Sequence, residues 1–241
     1  MPETGKVLVF GGSGPTGICL LRELAYRNHN AIAYVRNPSK IPDDLKTNPL
    51  IEVVKGDITD REALSKAIAQ SKVIISLLGP NTIRGVNEET YTNFYKLLLS
   101  LMREHGVRRI FAMSTISRWE PDDSFSALRW LLVSLVYVVA HGAWKTVRGI
   151  ARTFEEEGEG VDWTVYRIAG IPGGSDEKSW REDREDGMAF EGGVGGDGWM
   201  LTQKRGALAR WLVDGAEDGK RRWIGKMPAV SRLAGSKRRA E

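Results

Sequence analysis

A glycine-rich segment near the start of the chain has the residue types needed to bind phosphate. It consists of Gly11, Gly12, Ser13, Gly14, Pro15, Thr16 and Gly17. Gly11, Gly14 and Gly17 have the spacing G-x-x-G-x-x-G, which is related to the dinucleotide-binding pattern G-x-G-x-x-G. Without side chains in the turn, a pyrophosphate can approach backbone N–H groups and the positive end of a following helix. The segment therefore predicts a dinucleotide site.

A basic residue comes after the second apolar run of the chain. Arg36 stands nineteen positions after Gly17, where NAD-binding proteins place an acid for the ribose 2′-hydroxyl. A guanidinium suits a 2′-phosphate instead, because it can form paired charge-assisted hydrogen bonds. Lys40 can add a second positive charge. The pattern favours NADP over NAD, and the ordinary alternative is that Arg36 is a solvated residue at a strand end.

Short apolar runs alternate with helix-length amphipathic stretches over the first 170 residues. This alternation predicts an α/β fold with a doubly wound parallel sheet and crossover helices. The predicted strands are 6–10, 31–35, 51–55, 73–78, 109–113 and 163–167, and the predicted helices are 16–26, 61–70, 87–105 and 205–216. The glycine-rich segment and Arg36 would then lie at carboxyl ends of strands, where such sheets bind ligands.

The composition changes after the sixth predicted strand. Residues 173–198 hold eight glycines and eight carboxylates with few apolar residues, which predicts a long loop that could serve as a lid. No linker divides the chain, and its 241 residues are typical of one domain. We therefore expect a single domain with a core at 5–170, a lid loop and small C-terminal substrate-side extension at 171–233, and a basic tail at 234–241.

The order of these motifs resembles a known family. With the glycine-rich segment, Arg36, Gly56-Asp57-Ile58 and Leu78-Gly79, the chain resembles the atypical short-chain dehydrogenases/reductases, nearest the NmrA-like and biliverdin reductase B (flavin reductase) branches. The resemblance covers about residues 5–170. It implies a Rossmann-type domain carrying NADP, with Asp57 and Ile58 at the adenine. Leu78 and Gly79 would then let the chain pass close to the cofactor.

The resemblance leaves the chemistry open. Members with full dehydrogenase activity carry Tyr-x-x-x-Lys, and no tyrosine of this chain has a lysine four positions later. Ser114 and Thr115 stand where the family keeps a hydroxyl near the nicotinamide, although a serine at a strand end is equally often a turn former. His141 and Lys145 are candidate proton donors, with a satisfied core histidine as the commoner alternative for His141. Trp119, Trp144, Trp180 and Trp199 are candidate stacking walls.

Two functions are compatible with these residues. The first is an NADP-dependent oxidoreductase of a small aromatic, flavin-like or quinone-like molecule, whose reduction takes its proton from solvent and needs no dedicated acid. The second is an NmrA-like sensor, which binds the dinucleotide and reports to a protein partner without turnover. The missing dyad favours the sensor, whereas Ser114, Thr115 and the lid-like loop favour the enzyme. A homodimer is also possible.

Charge and cysteine content exclude several other classes. The chain has 35 basic and 31 acidic residues, a balance too even for a nucleic-acid surface over the whole molecule. Residues 220–239 contain eight Lys or Arg and no acid, which suggests a nuclear signal, an anionic docking patch or a solvated terminus. The single Cys19 cannot form an internal disulfide, and three scattered histidines match no zinc spacing, so no metal is expected.

Two apolar stretches bear on membranes. The run that begins after Lys6 is too short for a signal peptide, so a cytoplasmic location is expected. The run 130–144 falls short of the 18 or so apolar residues of a spanning helix. Its simplest interpretation is a buried helix. The alternative is a peripheral membrane contact or a dimer face, because Trp130 and Trp144 bracket the run.

Overall fold

The strands form one sheet. Successive strands are added to one side of the first strand of the chain up to the third, and to its other side from the fourth onward. The computed structural model describes residues 5–79, 88–218 and 221–238. Within these ranges the strands are β1 (Lys6–Phe10), β2 (Ala31–Val35), β3 (Ile51–Lys55), β4 (Ser71–Ser76), β5 (Arg109–Thr115), β6 (Asp162–Ile168), β7 (Ala189–Gly192) and β8 (Ala229–Arg232). Their spatial order is β3-β2-β1-β4-β5-β6-β8-β7. The described pairs are parallel except for β7 with β8.

Helices cover both faces of this sheet and connect its parallel strands. They are α1 (Pro15–Tyr26), α2 (Asp43–Lys46), α3 (Arg61–Ala69), α4 (Glu88–Glu104), α5 (Ala127–Val139), α6 (His141–Glu157), α7 (Glu177–Arg184) and α8 (Arg205–Asp218). The arrangement confirms the predicted Rossmann-type fold, with the predicted strand and helix ends shifted by one or two residues. Asn87, the predicted start of the fourth helix, lies outside the described residues.

The central strands are apolar at successive positions because both of their faces are buried. In β1, Val7 and Val9 pack on the side of α1 and α8. Leu8 and Phe10 pack on the opposite side, with α3, α4 and α6. All four side chains are at most 1% exposed. A strand covered on both faces has no polar side, and this explains the unbroken apolar runs in the sequence.

Residues 173–198 are not the irregular loop that their composition predicts, because they contain α7 and β7. The first of these elements begins at an N-cap. The Asp176 carboxylate accepts the Ser179 N–H at 2.9 Å and thereby satisfies a donor that the helix leaves free. Asp176 is therefore the N-cap of a helix within a segment whose glycine and acid content predicts a loop.

α7 is fixed on α1 by aromatic and ionic contacts. The Trp180 ring is 3% exposed and lies edge-on to Tyr26. Arg184 forms an ion pair at 3.0 Å with Glu23, whose side chain is fully buried. No residue of 173–198 lines the cleft or the pocket described below. This segment therefore packs against the body and not over the cleft in the described structure, and its role as a lid stays a prediction.

α5 projects from the body with most of its apolar side chains exposed, so the prediction of a buried helix was also wrong. Trp130 is 67% exposed and Val138 is 77% exposed. The apolar run breaks at Ala140, where α5 ends and α6 begins. Among the described residues no single helix is long and apolar enough to cross a membrane. α5 and α6 meet that criterion only as a pair, which is bent by 112°.

Candidate dinucleotide and substrate site

A large cleft opens at the carboxyl ends of β1, β2, β3 and β4, where the strand order reverses. Open α/β sheets bind ligands at this position because the crossover helices diverge to opposite faces there. The volume of this main cleft is about 680 Å³. Its lining residues are Phe10, Gly11, Ser13, Gly14, Pro15, Thr16, Gly17, Tyr34, Val35, Arg36, Asn37, Lys40, Gly56, Ile58, Leu77, Leu78, Gly79, Met113 and Ile171.

The glycine-rich segment forms the tight turn that one wall of the main cleft requires. Gly11 has a φ of +81°, which favours glycine. A Cβ on Gly17 would lie 2.2 Å from the Gly11 carbonyl oxygen, so no other residue fits at this crossing of turn and helix. Gly12 is buried behind the turn and is not a lining residue. Close packing of this kind brings the backbone to the cleft surface.

α1 begins at this turn with its amino end toward the main cleft. Its N-cap is Gly14, which supplies no side-chain hydrogen bond, and Pro15 takes the first helical position. The first turn contains no acidic residue. The helix therefore leaves N–H groups and the positive end of its dipole available for an anion.

Two basic side chains stand at the far end of the main cleft. Arg36 directly follows β2, and Lys40 ends a short helical turn that the Asn37 carboxamide caps by accepting the Ser39 N–H at 3.1 Å. Arg36 makes no ion pair with another described residue, and none of the described lining residues is acidic. Local charge therefore favours an anionic group at this end.

The end of β3 supplies a further wall. Gly56 is required there because a Cβ would lie 2.1 Å from the Tyr34 hydroxyl oxygen. That hydroxyl donates to the Asp57 carbonyl at 2.8 Å, and burial raises the pKa of Tyr34 to about 12. The Asp57 carboxylate accepts from the Thr59 hydroxyl and N–H, which lowers its pKa. Ile58 lines the cleft, whereas Asp57 lies beside the lining.

A second, apolar pocket of about 270 Å³ joins the main cleft at Gly79 and Met113, which line both. The Tyr91 hydroxyl donates to the Gly79 carbonyl at 3.2 Å and so holds the backbone at this junction. The lining of the apolar pocket is formed by Gly79, Met113, Ser114, Thr115, Ile116, Ser117, Leu132, Val133, Val136, Ala143, Trp144, Val147, Ile168 and Ala169. None of these described residues carries an ionisable side chain.

The polar side-chain groups of that lining are the hydroxyls of Ser114, Thr115 and Ser117 and the indole N–H of Trp144. Ser114 is 2% exposed, and its Oγ has no hydrogen-bond partner among the described residues. The Thr115 hydroxyl accepts the Ser117 N–H at 3.3 Å. A buried hydroxyl without a partner is uncommon in folded proteins and is a feature that a ligand can explain.

The other candidates occupy different places. His141 and Lys145 are exposed and do not line the main cleft or the apolar pocket; the His141 ring instead stacks on Trp144. Trp144 does line the apolar pocket. Trp180 lies in the core, Trp199 packs beside a minor cluster, and Trp119 is 60% exposed.

Sequence reasoning missed several lining residues. Tyr34 and Val35 end a predicted strand and Ile171 follows one, so their positions at strand ends were an available signal. Leu132 and Val136 had no comparable signal, because they come from the helix that was expected to be buried.

Comparison with known proteins agrees with this geometry. A family model described as NAD(P)H-binding matches residues 11–195. The chain belongs to this NAD(P)H-binding family. The matched range includes every lining residue of the main cleft except Phe10, which ends β1.

Two curated relatives match about a third of the chain. A phenylcoumaran benzylic ether reductase from Nicotiana tabacum is 37% identical over 86 residues, which are 33% of this chain and 28% of that protein. A 3-beta-hydroxysteroid dehydrogenase from Mycolicibacterium neoaurum is 36% identical over 87 residues, 34% of this chain and 23% of that protein. The matches thus span less than a third of these relatives' lengths.

Solved structures match the fold along the whole chain. A short-chain dehydrogenase/reductase from Veillonella parvula, crystallised with NADP, has a TM-score of 0.73 and 13% identity, with 97% of each chain covered. An anaerobillin reductase from Escherichia coli O157:H7 has a TM-score of 0.65 and 14% identity, with 97% of this chain and 100% of that chain covered. At these identities the likeness concerns the fold alone.

Proposed function

We propose that the protein is an NADP-dependent oxidoreductase that reduces a small aromatic, flavin-like or quinone-like molecule. The observation that carries this proposal is the junction at Gly79 and Met113, where the main cleft meets the apolar pocket. A dinucleotide lying in the main cleft would end beside a separate pocket large enough for a small ring system. When bound, NADPH supplies a hydride there.

The residues of the main cleft fit each part of the dinucleotide. The backbone N–H groups of Ser13, Thr16 and Gly17 would bind the pyrophosphate. Gly11, Gly12, Gly14 and Pro15 would shape the turn around it. Arg36 and Lys40 would bind the 2′-phosphate, because they are the basic side chains of the lining. Asp57 and Ile58 would hold the adenine, and Leu78 and Gly79 would pass beside the nicotinamide end.

The apolar pocket has no ionisable side chain in its described lining, and this favours a substrate that takes its proton from solvent. Its described lining offers no carboxylic acid, imidazole or ammonium group to donate a proton. A quinone that accepts a hydride from the nicotinamide of NADPH still needs one proton to become a hydroquinone, and solvent can supply that proton. Ser114 and Thr115 would orient the substrate oxygen by hydrogen bonding. Trp144 offers a face for stacking. His141 and Lys145, being exposed outside the pocket, receive no role.

The names of the relatives support reduction as the activity. The two curated relatives described above are named as a reductase and a dehydrogenase, and one structural neighbour is named as an anaerobillin reductase. The second candidate function is a dinucleotide sensor without turnover. It is favoured by the same lack of ionisable groups in the apolar pocket and by the missing Tyr-x-x-x-Lys pattern.

Nicotinamide absorbance distinguishes the two candidates. The purified protein is mixed with NADPH and a panel of quinones, flavins and aromatic carbonyls, and oxidation of NADPH is followed. The variant Ala143→Phe, which fills the apolar pocket, should abolish turnover and retain NADPH binding. Ala127→Phe adds the same ring on the exposed start of α5 and serves as its control. Binding of NADPH without turnover of any acceptor would favour the sensor, and absence of binding would contradict both functions.

A further inference from the structure

We propose that α5 and the first half of α6 dock on an anionic lipid membrane surface and lie within its interface. Five apolar side chains on one side of α5 form its outer face, and they are 50–77% exposed. They are Leu128, Leu131, Leu135, Val138 and Val139. A soluble monomer rarely leaves so continuous an apolar surface in water, and such patches mark protein or membrane contacts.

Aromatic side chains surround this outer face. Phe125 is 89% exposed, Trp119 is 60% exposed and Tyr137 is 48% exposed, while Trp130 stands on the helix itself. Tryptophan and tyrosine are enriched where a membrane meets water, because their rings combine an apolar body with a polar tip. The composition of the rim therefore suits a lipid headgroup region.

The charges next to the outer face have one sign. Residues 124–154 contain no acid, and Lys145, Arg148 and Arg152 are exposed on α6 at helical spacing. The first acid on each side is engaged: the Asp123 side chain is buried against Arg167 and Arg129, and Glu155 pairs with Arg118. Asp122, one residue further out, is exposed, so the basic side chains outnumber the acids beside the outer face. Basic side chains beside an apolar helix attract anionic lipids electrostatically.

These charges favour lipid over a second copy of the chain. A two-fold dimer through the outer face would bring identical patches together, so the basic fringe of one copy would lie near that of the other. The repulsion would oppose such a contact. Anionic headgroups would neutralise the same fringe. Exposed apolar side chains also lie around more than half of the circumference of α5, which a fluid lipid phase covers more fully than one rigid protein face.

An outer groove lies between the outer face and the apolar pocket, and this part of the inference rests on the proposed function. The groove has a volume of about 470 Å³ and is lined on its exposed side by Trp119, Phe125, Trp130, Tyr137 and Val138. It shares Ile116, Ser117, Val133 and Trp144 with the apolar pocket. A lipophilic quinone dissolved in the membrane could pass from the lipid into the pocket along this apolar path.

Vesicle flotation tests the docking surface directly. The full-length protein should float with vesicles of phosphatidylcholine and phosphatidylglycerol, float less with phosphatidylcholine alone, and lose binding as salt concentration rises. The double variant Leu131→Glu/Leu135→Glu changes two outer-face residues that line neither the apolar pocket nor the outer groove. It should reduce the partition coefficient by about tenfold or more. Met188→Glu, at a 50% exposed position outside α5 and α6, should leave it unchanged.

Three results decide the outcome. Failure of the unmodified protein to float with anionic vesicles, or equal flotation of the double variant, would overturn the proposal. A dimer in light scattering that becomes a monomer in the double variant, without vesicle binding, would assign the outer face to a second copy and also overturn it. NADP-induced stabilisation of the double variant, measured by thermal unfolding, checks that it is folded.

Substrate entry is tested separately from the activity itself. The double variant should reduce a short-chain quinone in solution at the normal rate but lose most activity toward a long-chain quinone held in vesicles. Equal loss on both would contradict entry through the lipid. Flotation together with failure to reduce any quinone would leave the docking surface standing and remove the proposed function.

Discussion

At the scale of single residues, we propose that Arg36 decides between the two nicotinamide dinucleotides. It lines the main cleft, has no described ion-pair partner, and stands beside Lys40 in a lining without acids. A 2′-phosphate would therefore meet two cations, whereas a 2′-hydroxyl would gain little from either.

The variant Arg36→Asp should weaken NADP binding by about 10- to 100-fold, because a charge-assisted hydrogen bond contributes about 1.5–3 kcal/mol. It should weaken NAD binding far less, since an aspartate can accept from the ribose hydroxyl. Titration calorimetry with both dinucleotides measures the two affinities. Arg61→Asp makes the same charge change at an exposed position outside the main cleft. Equal affinity of the unmodified protein for NAD and NADP would contradict the assignment.

Ser114 is the residue of the apolar pocket for which we propose a hydrogen bond to the substrate. Replacing it with alanine removes a buried hydroxyl that has no described partner. The loss of one hydrogen bond of about 1–1.5 kcal/mol predicts a fall in kcat of about tenfold with an accepted substrate. His141→Ala should leave kcat unchanged, because that ring is exposed on the far side of Trp144. Similar rates for both variants would remove Ser114 from the reaction.

At the scale of elements, a buried ionic cluster holds the segment between β5 and α5 in place. Both oxygens of the Asp123 carboxylate accept from Arg167, at 2.7 and 2.8 Å, and Arg129 at the start of α5 pairs with the same carboxylate at 2.9 Å. Val194 donates its N–H to it as well. The cluster thereby ties β6, α5 and the segment after β7 to one another.

The variant Asp123→Asn should lower the free energy of unfolding by about 3–5 kcal/mol, since it leaves buried guanidinium groups without a countercharge. Burial alone would raise the pKa of Asp123, but hydrogen bonds from Arg167 and its charge outweigh this and lower it below 3.8. Chemical denaturation measures the loss. The control is Asp122→Asn, which makes the same change at the exposed neighbouring residue. If the free energies of unfolding of the two variants differed by less than about 1 kcal/mol, the role of the cluster would be contradicted.

The same shift fixes a pH dependence. Because the folded pKa of Asp123 is below the unfolded value, its stabilisation is complete above that unfolded value and disappears as pH falls through the folded pKa. The unmodified protein should therefore lose more stability on acidification below about pH 4 than Asp123→Asn does. Parallel acid-denaturation profiles would show that this carboxylate is not the group responsible.

At the scale of the whole molecule, the main cleft is assembled from the ends of several strands and not from one contiguous segment. Ligand binding should consequently stabilise the folded state as a unit, because the unfolded chain keeps no such cleft. With NADP at about 100 times its dissociation constant, we expect about 2.7 kcal/mol of stabilisation and a rise in Tm of about 5–10 °C. NAD at the same concentration should raise Tm less. Thermal unfolding measures both rises in Tm. Equal rises with NAD and NADP would contradict the proposal that Arg36 and Lys40 bind the 2′-phosphate.

Local patterns were sufficient for the dinucleotide half of the site. The tight turn at Gly11 and Gly17 follows from their spacing, and Arg36 follows from its place after β2. The predicted strands were recovered because buried parallel strands read as unbroken apolar runs. In contrast, the structure of residues 173–198 was predicted wrongly. α7 is stabilised by the contacts of Trp180 with Tyr26 and of Arg184 with Glu23, and the residues of each pair are far apart in the sequence.

The sequence by itself determined the alternating α/β order, the glycine-rich turn and the basic residues at the end of the next strand, because each depends on neighbours along the chain. Only the tertiary structure decided which apolar helix is covered and which is left in water. Hydropathy gives the same reading for a helix in the core and for α5 at the surface, since burial depends on what packs against a side chain. The apolar pocket and its junction at Gly79 and Met113 likewise exist only once distant segments are brought together.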